Sequence, residues 1–183
     1  MKIFTHHAVI SRIFIIIALL FSATNYVQAD GSGPNDGNRQ SAKAFYDINV
    51  TKPETMAAFL GVIDGTYTEL VDNGAKRKDI RFVVSLRGAS VIFVTENYAA
   101  IDPVNGEAIR EVVNSLLEKK VRVEVCIISC RWFGVDPADP NIDYFDGVKI
   151  IDNAFISSIQ FQTRGYALIP ISEIVPYDGP TEF

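Results

Sequence analysis

Hydrophobic residues recur along the chain with two periods, one typical of strands and one typical of helices. Short apolar runs, several of them alternating with polar residues, predict strands over residues 44–50, 79–86, 121–128, 148–151 and 166–171. Helical spacing predicts helices over 51–73 and 107–120, with shorter ones at 89–95 and 154–162. The order of elements predicts an α/β fold, a three-layer α/β/α domain with a mostly parallel five-stranded sheet.

The first long helix has predicted start and stop signals. Thr51 and Glu54 have the spacing of a capping box, and Pro53 falls in the first turn. Gly74 follows the last periodic residues and predicts the end of the helix. These signals predict a helix whose apolar face is buried against the sheet.

The predicted central strand carries both cysteines of the protein near its end. Val121, Val123 and Val125 alternate with polar residues, and Cys126 and Cys130 follow. Ligands of open α/β sheets bind beyond the carboxyl ends of the strands, so Cys126 is the leading candidate for chemistry. The alternative is that Cys126 is a small buried apolar residue, as free cysteines often are.

Two arginines are candidate accessory groups for a reactive thiol. Arg131 follows Cys130 directly, and Arg87 follows the neighbouring predicted strand. A cation beside a thiol lowers its pKa and favours the nucleophilic thiolate. A further alternative is a disulfide between Cys126 and Cys130, whose spacing of one helical turn can just meet the required geometry.

The N-terminal residues have the layout of a secretory signal peptide. A basic start precedes an apolar run over residues 13–23, too short for a membrane span, and Val27-Gln28-Ala29 resembles a cleavage site. We therefore assign residues 1–29 to a signal peptide, 30–43 to a flexible linker, 44–175 to the folded domain and 176–183 to a C-terminal tail. The expected location is exported, periplasmic or secreted, with no membrane attachment after cleavage; an uncleaved amphipathic anchor is the alternative.

Cleavage would change both charge and chemistry. Loss of Lys2 and Arg12 moves the formal net charge from −5 to about −7, an unfavourable balance for a nucleic-acid partner. Both histidines, His6 and His7, would also be lost, which excludes Cys-His pairs and zinc sites that contain histidine. The acidic residues between 136 and 146 fail the calcium-loop pattern and are expected to be turn residues. We expect neither a metal nor a cofactor.

Several segments resemble the DsrE/DsrF-like family. They are Phe45-Tyr-Asp-Ile-Asn-Val, Asp79-Ile-Arg-Phe-Val-Val, Arg87-Gly88, Gly134-Val-Asp and Gly165-Tyr-Ala-Leu-Ile-Pro. The resemblance covers roughly residues 44–171 and is greatest to small exported members of the family. It implies a three-layer α/β/α fold and a homo-oligomer, commonly a trimer or a hexamer.

The resemblance also implies a role for one cysteine. The best understood relatives relay sulfur as a persulfide on a strand-end cysteine that stands eight residues before a glycine. Cys126 stands eight residues before Gly134 and so matches that position. Cys130 lies one residue beyond the second cysteine of the Cys-x-x-Cys spacing seen in some relatives, so a dithiol role does not follow. Trp132 and Phe133 are expected to be exposed, or to form a subunit contact.

These observations give one leading function and two alternatives. The leading hypothesis is an exported sulfur carrier, or possible sulfurtransferase, in which Cys126 exchanges sulfane sulfur with donor and acceptor proteins. The first alternative is a non-catalytic oligomeric binding or assembly module with the same fold. The second is a thiol-disulfide protein that uses Cys126 and Cys130.

Overall fold

The computed structural model describes residues 41–173, which form five strands and five α-helices. The strands are β1 (Ala42–Asn49), β2 (Ile80–Leu86), β3 (Arg122–Cys126), β4 (Lys149–Ile151) and β5 (Ala167–Ser172). The helices are α1 (Pro53–Asp72), α2 (Glu96–Ile101), α3 (Pro103–Glu118), α4 (Ile127–Trp132) and α5 (Ala154–Gln162). Two 3-10 segments cover Arg77–Asp79 and Gly88–Val94. The predicted signal peptide, most of the linker and the C-terminal tail lie outside the described residues.

The five strands form one parallel sheet in the order β4-β3-β2-β1-β5. All their carboxyl ends therefore lie along one edge of the sheet, which we call the carboxyl edge, and all their starts lie along the amino edge. Helical segments connect the strands and cover both faces, because a parallel sheet must bury its apolar residues on each side. The predicted α/β/α fold with a five-stranded sheet is confirmed.

The two faces of the sheet are covered unequally. On one face, α1 and α3 pack over a large apolar core; Tyr67 of α1, for example, stacks edge-to-face on Phe82 of β2 with ring centroids 5.9 Å apart. On the other face lies α5, where Phe161 packs against Phe45 of β1 at 5.5 Å. We call these the α1/α3 face and the α5 face. Because α5 is short, it does not cover the α5 face near the ends of the strands. Polar side chains occupy much of that part of the face.

The capping box predicted at the start of the first helix is wrong. Lys52 is the N-cap residue and its side chain caps nothing. The backbone N–H of Thr51 instead donates to one Glu173 carboxylate oxygen at 2.9 Å, and its hydroxyl donates to the other at 2.5 Å. Thr51 therefore connects the end of β1 to the residue after β5, and this long-range contact replaces the local one. Gly74 does end α1, with φ at +92°.

Two further boundaries differ from the expected ones for local reasons. Ile127 and Ile128 belong to α4 and not to the strand, so β3 ends at Cys126. Helix α3 begins at Pro103 rather than near Glu107, because the Asp102 carboxylate accepts a hydrogen bond from the Asn105 backbone N–H at 3.2 Å.

Over residues 41–173, no helix has both the length and the hydropathy required to cross a membrane.

We expect two glycine-to-alanine substitutions in helix interiors to act in opposite directions. A Cβ at Gly106 in α3 would lie 2.5 Å from the Ala99 Cα of α2, so Gly106→Ala forces the two helices apart and should lower the free energy of unfolding by about 1–3 kcal/mol. Gly61 in α1 has open space around it, so Gly61→Ala should raise that free energy by about 0.5–1 kcal/mol. Urea denaturation measures both, and a shift of the same sign for the two variants would contradict this packing.

Candidate functional site

Cys126 occupies the turn from a buried strand into a short helix. It is the last residue of β3 and the N-cap of α4, with extended backbone angles of φ −82° and ψ 117°. Strand β3 lies between β2 and β4, so the residue is placed at the carboxyl edge, where the sequence predicted it. The residue is 5% exposed. It therefore lies just beneath the surface of the site.

The pleat of β3 directs Cys126 toward the α5 face. Side chains alternate between faces along a strand, so Arg122, Glu124 and Cys126 point to one side. Glu124 identifies that side: its carboxylate accepts a hydrogen bond at 2.5 Å from the hydroxyl of Ser157, which belongs to α5. Its second oxygen accepts from Arg122 Nε at 2.6 Å. The Cys126 side chain therefore shares a face with a buried, doubly bonded carboxylate.

Cys130 lies in the apolar core of the opposite face. It is fully buried in the cluster that contains Val123 and Val125, the residues of β3 that point toward the α1/α3 face. Burial raises the pKa of the Cys130 thiol. Burial likewise raises the pKa of the Tyr144 phenol. Cys130 is therefore a protonated, structural thiol at neutral pH.

Both cysteines are free thiols; Cys130 packs in the apolar core of the α1/α3 face, whereas Cys126 points toward the α5 face. A disulfide needs Cβ atoms within about 3.5–4.5 Å and vectors that face each other. The two side chains start in different directions, one toward the α5 face and one into the opposite core, and the thiols are unbonded in this structure. The arrangement gives no support to the dithiol alternative.

Arg87 lies beside Cys126, but its charge is already balanced. The register pairs Leu86 with Val125, which places the next residues, Arg87 and Cys126, side by side on the α5 face. The Arg87 guanidinium turns instead toward β1 and forms a two-point ion pair with Asp47, with Nε–Oδ1 at 2.7 Å and Nη2–Oδ2 at 3.1 Å. Arg87 therefore contributes a paired cation to the neighbourhood of the thiol.

Arg131 is placed away from the thiol. It belongs to the last turn of α4, whereas Cys126 precedes the first turn, and its side chain is 58% exposed. Its Nε lies 3.3 Å from the Asp136 carboxylate. Of the two arginines singled out from the sequence, the structure brings only Arg87 to the strand-end site.

Sequence reasoning missed three groups that shape the site. Ser129 Oγ accepts a hydrogen bond at 3.0 Å from the Gly88 backbone N–H, which ties α4 to the turn after β2. Gly88 has φ at +59°, and any Cβ there would lie 2.0 Å from Asn49 Oδ1, so only glycine fits the turn. The third group is the Glu124 carboxylate. Two features of the sequence could have indicated the first two groups: a serine between the two cysteines, and a glycine directly after a predicted strand.

The aromatic and acidic residues after Cys130 lie where the sequence analysis expected them. Trp132 is 81% exposed and Phe133 is also exposed. The Asp136 carboxylate accepts from the Ala138 backbone N–H at 3.0 Å, as an acidic turn residue does. Within residues 41–173, no cluster of three metal-ligating side chains occurs.

Fold and site together define a parallel three-layer α/β protein with a single strand-end thiol on one face of its sheet. Residues 54–171 match the model of the DsrE/DsrF-like family, and the chain belongs to that family. A solved structure of similar fold is the protein of unknown function MTH1491 from Methanobacterium thermoautotrophicum. It is 17% identical with a TM-score of 0.55, and the match covers 71% of this chain and 99% of that one. No curated protein sequence matches the chain.

The different surroundings of the two thiols predict different reactivity in the folded protein. We expect iodoacetamide to alkylate Cys126 in the native state, and Cys130 only after denaturation, because Cys130 is fully enclosed and its thiol pKa is raised. Peptide mass mapping after native and denaturing alkylation gives the two rates. Cys126→Ser should abolish native labelling and Cys130→Ser should leave it unchanged; native labelling of Cys130 at the same rate as Cys126 would contradict the assignment.

Proposed function

We propose that this protein carries sulfane sulfur as a persulfide on Cys126. Membership of the DsrE/DsrF-like family supports a role related to sulfur relay. The observation that carries the proposal is the position of Cys126 as the last residue of β3, at the edge of the sheet where α/β proteins bind ligands. The fully buried Cys130 is a poor alternative carrier.

The transfer needs no oxidant or cofactor. The Cys126 thiolate attacks the terminal sulfur of a donor persulfide, R–S–SH, and forms a new S–S bond as the donor S–S bond breaks. The donor leaves as the thiolate R–S⁻, and Cys126 holds the –S–SH group. Attack by an acceptor thiolate on the outer sulfur reverses these bond changes and regenerates the Cys126 thiolate. The protein is then a carrier between donor and acceptor proteins rather than an enzyme with a small-molecule product.

The surroundings of Cys126 suit a persulfide in two ways. Cys126 is 5% exposed, which limits its contact with bulk solvent while leaving part of the residue accessible to a reacting partner. The Arg87–Asp47 ion pair keeps polar groups beside the thiol and adds no net charge there.

An exported location is part of the same proposal. The N-terminal signal-peptide pattern supports it, and it would place the carrier among donors and acceptors outside the cytoplasm. Nucleic acid and membrane surfaces are not the expected partners, given the acidic net charge.

A second candidate function is an oligomeric binding or assembly module. One observation favours a homo-oligomer whether the protein is a sulfur carrier or a binding module. The outer side of α5 exposes large apolar residues, with Phe155 65%, Ile156 54% and Ile159 62% exposed. An apolar surface of this kind typically marks a protein interface. Phe155 also lies beside the Arg87 guanidinium, whose central carbon is 5.6 Å from the ring centroid. We propose that α5 forms a homo-oligomer contact, as in the trimers and hexamers expected from the family.

Exposure to inorganic polysulfide should load one sulfur atom on Cys126. We expect intact mass spectrometry to show an addition of about 32 Da on the native protein and on Cys130→Ser, because only Cys126 is both near the surface and at the strand end. Cys126→Ser should show no addition. A persulfide on Cys130, or none on the native protein, would refute the carrier proposal.

Replacement of the α5 apolar surface should dissociate the oligomer. We expect Ile156→Glu/Ile159→Glu to elute as a smaller species in size-exclusion chromatography with light scattering, because charged side chains cannot be buried there without partners. The matched control is Val62→Glu in α1, where the exposed valine lies on a different helix. An unchanged mass for the α5 variant, or a monomeric parent protein, would contradict the assembly.

A further inference from the structure

A cleft lies at the amino edge of the sheet, at the opposite end of the strands from Cys126. Its volume is about 690 Å³, within the range of small-molecule sites. Residues before and at the start of β2 line one side of it, and three of these are the cations Arg77, Lys78 and Arg81. All three are exposed. This side of the cleft is therefore basic.

The other walls of the cleft are also basic. Lys119, Lys120 and Arg122 come from the junction between α3 and β3, and Arg164 comes from the turn after α5. Glu118 is the one acidic residue of the lining. Seven cations from three separate segments thus converge in a protein whose formal net charge is −5. The parallel topology causes the convergence, because every strand of the sheet starts at this edge.

Internal ion pairs neutralise only two of these cations. Lys119 Nζ lies 2.7 Å from the Asp64 carboxylate, and Arg122 is bound by Glu124. The other five make no ion pair with any residue in the part of the chain that the structure describes. The carboxyl ends of α3 and α5 offer some negative potential, roughly half a charge each. That amount does not balance five cations, so a strong positive potential remains in the cleft.

Aromatic rings give the cleft an apolar wall and orient two of the guanidinium groups. Phe161 and Tyr166 stack edge-to-face with centroids 4.8 Å apart. The guanidinium carbons of Arg122 and Arg164 lie 5.8 and 5.6 Å from the Phe161 centroid. A guanidinium group held by a ring can form paired hydrogen bonds with planar or tetrahedral oxyanions.

We propose that this amino-edge cleft binds a small organic polyanion with two or more phosphate, sulfate or carboxylate groups. The number of cations matches a multiply charged ligand, and the volume limits it to a small molecule. The site is independent of the sulfur chemistry, since Cys126 lies at the other edge of the sheet. Its long-range attraction for anions should fall with ionic strength.

Calorimetric titration of the full chain with sodium tripolyphosphate tests the proposal. We expect one site per chain with a dissociation constant below about 1 mM at about 0.15 M ionic strength, and binding at least about tenfold weaker for orthophosphate. Arg81→Glu should weaken tripolyphosphate binding about tenfold, because it replaces an attractive charge with a repulsive one at the cleft.

The matched control is Lys52→Glu, which makes the same change of net charge at an exposed position beside the carboxyl edge. It should change the affinity by less than about twofold. Cys126→Ser should bind like the parent, which keeps this result separate from the sulfur proposal. Absence of binding, equal affinity for orthophosphate, or equal weakening by Lys52→Glu and Arg81→Glu would each overturn the proposal. Circular dichroism verifies that both variants are folded.

Discussion

The structure depends on one central strand whose two sides lie in different environments. Hydrogen bonding on both sides, to β2 and β4, fixes the register of β3 and therefore the face that each of its residues occupies. The valines at 123 and 125 enter the apolar core under α1 and α3. Glu124 and Cys126 face α5, where Ser157 and Arg122 satisfy the buried carboxylate. A shift of one residue would bury the thiol in the core and place valines against the polar layer.

This constraint decides which sulfur can react. Cys126 ends the strand on the polar face, and Cys130, one helical turn later, packs into the apolar core. Two cysteines that are close in sequence thus point toward opposite faces of the sheet. Single-thiol chemistry, in which a sulfur atom is received and passed on, needs only Cys126.

Strand and helix types were predictable from the sequence because apolar periodicity is a local property. The helix over residues 154–162 was predicted at the observed boundaries, and the strand-end position of Cys126 was also predicted. Contacts distant in sequence were not predictable. Thr51 pairs with Glu173 rather than Glu54, and nothing in the local sequence around Glu124 indicates that this carboxylate is buried. Alternation reveals which residues share a face, but it does not reveal what covers that face.

The basic cleft illustrates the same limit for charge. The sequence has only a short basic run, Lys76-Arg77-Lys78, and its net charge is negative. Arg81, Lys120 and Arg164 come together only because parallel strands return to the same edge. Conversely, Arg131 lies close to Cys126 in sequence but at the other end of α4. Proximity along the chain was therefore a poor guide to the charges around both sites.

The fate of a persulfide on Cys126 tests the central claim, that the two thiols point toward opposite faces of the sheet and only Cys126 reacts. Protein loaded with one sulfur should be followed by intact mass spectrometry over time without an added acceptor. We predict that the added sulfur stays on Cys126, because the Cys130 thiol points into the apolar core and burial raises its pKa, which disfavours the attacking thiolate. Loss of the sulfur as HS⁻ with formation of a Cys126–Cys130 disulfide, about 2 Da lighter than the reduced protein, would contradict the account.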